Sequence, residues 1–171
     1  MVDPKLIDLV ESVRAIPYGR PSDGTVEGMW RERRGTCSTK HLYLANALTE
    51  GFPDTEPQII HRVYRIDRAT AEVLFGDVIA TSLPTSGIVD VHRYLRTRIE
   101  GRQISLDVTL PGEPWDGRTS MTLACGPGED FAAGADPDSE KRKLENEHCD
   151  AILREPFITA LSKAAQRSAE M

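Results

Sequence analysis

Residues 88–110 read IVDVHRYLRTRIEGRQISLDVTL, from Ile88 to Leu110, and the period of this stretch decides the fold class. β-Branched and aromatic residues from Ile88 to Ile99 predict one strand, and the alternation from Gln103 to Leu110 predicts a second. In the second, Ile104, Leu106, Val108 and Leu110 take one face, while Ser105, Asp107 and Thr109 take the other. The join falls around Glu100-Gly101. A two-residue turn there faces His92 with Thr109 and leaves Asp107 diagonal to His92. A four-residue loop at 98–101 sets His92 and Asp107 directly opposite. Either register brings an imidazole and a carboxylate to one face within side-chain reach.

Working outward, Gln58 to Ile66 reads as a further strand, and 69–83 carries no decisive pattern. Asp3-Pro4 starts a helix whose stripe of Leu6, Leu9, Val10 and Val13 ends before Pro17-Tyr18-Gly19. Residues 19–34 look like loop, with Pro21, Gly24 and Gly28, and close in the basic run Arg31, Arg33 and Arg34. A second helix runs from about Cys37 to Glu50. Its Leu42, Leu44, Ala45, Ala47 and Leu48 leave little polar surface, so it is expected to be buried on several sides. After an acidic loop over 112–137, Asp138–Arg154 and Pro156–Ala165 read as two helices broken at Pro156, with Leu144, Ala151 and Ile152 facing inward. Helices, then antiparallel strands, then helices define an α+β protein.

The chain has 171 residues, enough for one substantial core. Its 21 Lys and Arg against 27 Asp and Glu give a net charge of −6, which argues against nucleic acid as a partner. The excess is local: residues 112–155 hold 5 basic and 11 acidic side chains, whereas 1–111 hold 14 and 15. No apolar run reaches the ~20 residues of a membrane span, and the N-terminus lacks an apolar signal core. Three cysteines at spacings of 88 and 24 make no disulfide framework. These features predict a cytoplasmic protein without a membrane partner. They do not indicate an oligomeric state.

Chemistry is expected first at Gly35-Thr36-Cys37-Ser38. Thr36 fits an N-cap, which puts Cys37 in the first helical turn, where unpaired N–H groups and the helix dipole favour thiolate over thiol. Arg31, Arg33, Arg34 and Lys40 against Glu32 add positive charge nearby, and Gly35 leaves room for a substrate to approach. A nucleophilic thiol needs a base and the base an orienting group; His92 and Asp107 are the best placed. Cys37 and His41 stand one helical turn apart, but a C-x3-H pair without a second pair makes no metal site. His61 reads as a core or edge histidine, and His148-Cys149 as a surface histidine beside a packed cysteine.

Taken together, Arg34-Gly35-Thr36-Cys37-Ser38, Val89-Asp90-Val91-His92-Arg93-Tyr94 and Leu106-Asp107-Val108-Thr109-Leu110-Pro111 resemble the core of the transglutaminase-like superfamily. That family is related in fold to the papain-type cysteine peptidases. The resemblance covers about residues 30–111, with Tyr94 where many members carry Trp and Val108 where Pro is usual. It implies one transglutaminase-like domain over 1–171, with a nucleophile at the N-terminus of a buried helix packed on an antiparallel sheet. The acidic loop and C-terminal helices, 112–171, lie outside the family-like core. The implied activity is cysteine-dependent amide hydrolysis or acyl transfer through a thioester acyl-enzyme. Cys37 would be the nucleophile, His92 the proton carrier and Asp107 the residue that fixes its tautomer, with a peptide, protein or small amide as substrate. Neither a cofactor nor a metal is implied. The alternative is a non-catalytic binding or scaffold module of the same fold.

Overall fold

Asp3 accepts from the Lys5 N–H and Pro4 fits the first turn, so the chain enters α1 (Pro4–Arg14) directly. α2 (Val26–Glu32), α3 (Cys37–Gly51) and a single 3₁₀ turn at Pro53–Thr55 follow, and then β1 (Gln58–Ile66). Next come α4 (Arg68–Phe75), α5 (Asp77–Ala80), β2 (Ile88–Ile99), β3 (Arg102–Leu106) and β4 (Gly128–Ala132), and the chain ends in α6 (Pro137–His148) and α7 (Ala151–Glu170). The computed structural model describes residues 1–171, the side chain of residue 169 excepted. The strands form one antiparallel sheet in the order β3-β2-β1-β4, and the fold is α+β.

The hairpin settles the register that the sequence left open. Leu95 pairs with Leu106 and Ile99 with Arg102, so the turn is the two-residue one. Glu100 at φ 47° and Gly101 at φ 78° both take the left-handed conformation that such a turn needs. β3 stops at Leu106, four residues short of the predicted Leu110. The reason lies in the donors: the Val108 N–H goes to the His41 ring and the Thr109 N–H to the Asp107 carboxylate, so neither can continue a ladder.

The chain divides into two compact units. The first comprises residues 1–60 and 93–123. Its core gathers Leu6, Val10 and Val13 of α1, Met29 of α2, Leu44 and Leu48 of α3, and Leu95, Leu106 and Val108. The expectation of loop over 19–34 is corrected here. Thr25 Oγ1 accepts the Gly28 N–H at 2.9 Å and buried Met29 anchors the helix, so a short α2 forms despite Gly28. The start of the acidic loop also contributes to this core, through Trp115 and Met121.

The second unit comprises residues 61–92 and 124–171. The undecided stretch 69–83 supplies α4, capped by Asp67 on the Thr70 N–H, and α5. Within the predicted acidic loop, β4 adds an edge strand, held by Arg62 bidentate on Asp130 at 2.7 and 2.9 Å. The break between the last helices is at Cys149-Asp150, not Pro156. Pro156 sits early in α7, and the Ile152 carbonyl it leaves without a helical donor belongs to an exposed turn where water can replace the bond. Leu144, Ala151 and Ile152 do not form an inward stripe: Ile152 is 84% exposed, and Phe157, Ile158 and Leu161 are the buried residues. Phe157 packs edge-on against Phe75.

Candidate functional site

Cys37 is the first residue of α3 and is buried. The Thr36 N–H donates to Thr39 Oγ1 at 3.1 Å and the Thr36 carbonyl accepts the Lys40 N–H, so the first turn is closed from its N-cap. Gly35 is held between neighbours: its N–H donates to the Pro17 carbonyl and its carbonyl accepts from Gly19. A Cβ at Gly35 would meet Met29 Sδ at 2.7 Å and Lys40 Cγ at 2.9 Å. That glycine makes room for packing from inside the protein, not for an incoming substrate.

The positive charge expected around Cys37 is arranged differently. Arg31 pairs with Asp23 at 2.8 Å, Arg34 with Glu32 at 2.6 Å, and Arg33 lies over the Trp30 ring. Hydrogen bonds from Ser22, then Arg34, hold the Glu32 carboxyl down to about 2. The basic run is thus locally neutralised. Lys40, by contrast, is fully buried. Its ammonium donates to the carbonyls of Arg14 at 3.2 Å, Ile16 at 2.6 Å and Thr109 at 3.1 Å. Burial pushes Lys40 down to about 7; Asp107 and Cys37 act the other way, and Arg14 adds to the depression.

His41, next in the helix, is also fully buried. Its Nδ1 lies 2.8 Å from the Cys37 carbonyl, and its Nε2 accepts the Val108 N–H at 3.0 Å. An Nε2 that accepts leaves Nδ1 as the protonated, donating nitrogen, so the tautomer follows from the bonds. Both nitrogens serve backbone groups, which turns the Cys37–His41 spacing from a possible metal pair into a structural bracket. Asp107 follows β3 in the same unit, and its side chain is wholly buried. Its Oδ1 accepts the Thr109 N–H at 3.0 Å and stands 3.6 Å from His41 Nε2, too far for a hydrogen bond.

His92 lies on β2 and is buried; it is the last residue of the second unit's stretch 61–92. The next residue, Arg93, belongs to the first unit and donates to the Ser38 carbonyl at 2.9 Å. Among the other candidates, His61 is buried on β1, His148 is exposed at the end of α6, and Cys149 is half-buried. Burial, then Asp90, push the Cys149 thiol up to about 11. Among the described residues, no cluster of three or more His, Cys, Asp or Glu could hold a metal ion, and no helix is long and apolar enough to cross a membrane.

The sequence marks Lys40 as charge near Cys37 and His41 as a neighbour one turn away, but not that both bind main-chain groups of other segments. The one available signal was their position in the buried stripe of α3, between Cys37 and Leu44, where two polar residues require polar partners. No family model, curated protein or solved structure matches the chain.

Proposed function

We propose that this chain is a cysteine-dependent enzyme of amide hydrolysis or acyl transfer, similar in mechanism to the transglutaminase-like superfamily, with Cys37, His92 and Asp107 as its catalytic residues. The observation that carries the reading is the docking of the Asp107 segment onto the helical turn that Cys37 opens.

In the proposed reaction the Cys37 proton passes to His92, and the thiolate lone pair forms a bond to the substrate carbonyl carbon. The C=O electron pair moves onto oxygen, where the N–H groups of the first turn of α3 stabilise it. Collapse of the tetrahedral adduct breaks the C–N bond, and the amine leaves with the proton from His92. The resulting thioester is opened by water or by a second amine, which regenerates the thiol. Asp107 keeps the imidazole in the tautomer that accepts from sulfur. The substrate is a peptide, protein or small amide. Free cysteines suit a reducing cytoplasmic setting.

One observation favours a second reading, a binding or scaffold module without catalysis. Arg93 occupies the Ser38 carbonyl, and successive residues of a strand face opposite sides. His92 would then belong with Asp90 and Tyr94 on the other face of β2, and Cys37 would be a packed thiol. Site-resolved alkylation by iodoacetamide across pH separates the two. The enzyme requires a Cys37 thiol that titrates below the ordinary ~8.5 and returns towards it in His92→Ala. A Cys37 profile that is identical in the folded variant establishes the module instead.

A further inference from the structure

We infer that Lys40 and His41 are positioning residues, a two-residue clamp on α3 that fixes where the Asp107 carboxylate stands relative to Cys37. The inference rests on the reading of Cys37 and Asp107 as members of one catalytic set and adds to it the parts that hold them in register. The clamp grips consecutive backbone groups just past β3. His41 Nε2 takes the Val108 N–H at 3.0 Å, and Lys40 Nζ donates to the Thr109 carbonyl at 3.1 Å. Asp107 is the residue immediately before these, and its carboxylate is folded back onto the Thr109 N–H at 3.0 Å. Two backbone groups just after Asp107 are thereby held from α3, and the carboxylate is held by its own segment.

The other ends of the clamp reach the nucleophile's own turn. His41 Nδ1 holds the Cys37 carbonyl at 2.8 Å, so a single imidazole ring spans the residue that carries the thiol and the residue after the carboxylate. Lys40 ties the same point to the end of α1 through the carbonyls of Arg14 and Ile16. An ammonium has three N–H donors, and three carbonyl oxygens receive them. Neither residue is exposed, so neither serves solubility or meets solvent. A polar pair this deep costs stability unless it is satisfied, and it offers in return a fixed geometry that apolar packing alone would leave adjustable.

A structural role alone predicts that replacing His41 lowers the melting temperature and leaves Cys37 chemistry untouched. The clamp predicts more. The test is the pH profile of iodoacetamide alkylation at Cys37, read by peptide mass spectrometry, in the full chain and its His41→Phe, Asp107→Asn, double and His92→Ala variants. Circular dichroism checks that each is folded. His41→Phe is expected to move the profile as Asp107→Asn does, slowing alkylation about tenfold at pH 7, which corresponds to one pKa unit. The double variant should be no slower than either single one. His41→Gln, which keeps one donor and one acceptor, should recover most of the rate, and His41→Leu serves in place of the Phe variant if that fails to fold, with the same tenfold loss expected and an unchanged profile overturning the clamp. The inference is overturned on its own if Asp107→Asn and His92→Ala move the profile but folded His41→Phe does not. It is also overturned if the His41 and Asp107 effects multiply in the double variant. If all the profiles coincide, the catalytic reading has failed and the clamp's role fails with it, an outcome distinct from the other two.

Discussion

Cys37 and Cys149 stand at opposite ends of helices, and their surroundings diverge accordingly. Cys37 opens α3, at the positive end of the helix dipole. Cys149 closes α6, with its own N–H spent on the Glu145 carbonyl and with Asp90 and Glu145 nearby, and its thiol is driven up to about 11 by burial and by Asp90. Each cysteine also neighbours buried charge. Beside Cys37 that charge is Lys40 on three carbonyls, with the Asp107 carboxylate close by. Around Cys149 it is an ion network, with Arg154 on Asp90 at 2.7 Å and on Glu145 at 3.0 Å, and Glu145 on Lys141 at 2.8 Å. On the proposed reading, position at a helix end, more than the presence of charge, separates a thiol suited to chemistry from one suited to packing.

The comparison can be broken most severely in the second unit. Arg154→Leu should destabilise the protein by about 4 kcal/mol in urea unfolding, because it strands the buried Asp90 carboxylate. A loss under about 1 kcal/mol would show that the network is ornamental. The pH dependence has a definite sign. Burial raises the Glu145 carboxyl, but Lys141 and Arg154 outweigh it and hold the folded value below 4.5. A lowered folded value means that the stabilisation is fully present above about 4.5 and is lost as pH falls below that and through the folded value. The gap between wild type and Arg154→Leu should therefore narrow in acid, as urea titrations from pH 7 to 3 would reveal.

In the first unit, Lys40→Met should cost about 3 kcal/mol, since an apolar chain of similar length fills the space but leaves three carbonyls without donors. Equal stability of wild type and variant would mean that other groups satisfy those oxygens. A smaller effect is expected in the thiols themselves. At pH 7 Cys37 should alkylate at least about tenfold faster than Cys149, because the raised Cys149 thiol holds little thiolate at that pH. Cys149 reacting first would reverse the assignment. Smallest is the cap of α7: Asp150 accepts from Ile152 and Leu153, and Asp150→Ala should lower stability by about 1 kcal/mol without altering Cys37 alkylation.

What could be seen in the sequence was what local pattern controls. The strand alternation around Glu100-Gly101, the Asp3-Pro4 start and the Thr36 cap each depend on neighbours within a few residues, and they appear in the structure at the expected places. The end of β3 did not, because it is set by a histidine 67 positions away that takes the Val108 N–H. β4 was missed for a similar reason: its exposed, acidic sequence lacks a strand pattern, and its place depends on Arg62 of β1. Pro156 misled because a proline early in a helix, on an exposed turn, breaks little. At the site, Cys37 and Asp107 could be picked out by chemical type and order. Lys40 and His41 stood out only as nearby charge and a possible metal pair; what they hold could not be read, since their partners are main-chain atoms, which leave no mark in side-chain composition.

β4 has a consequence for how copies of this chain behave towards one another at high concentration. As the outermost strand on one side of the sheet, it is an edge, the part of a sheet onto which a foreign strand could add. It is five residues long and carries exposed Glu129 and Asp130, with Asp130 committed to Arg62. A second copy approaching this edge would bring its own acidic pair against the first, on a template too short for a stable ladder. The strand that completes the sheet is thus also its barrier to runaway polymerisation, and removing those two charges is the change that would open the edge to fibre growth.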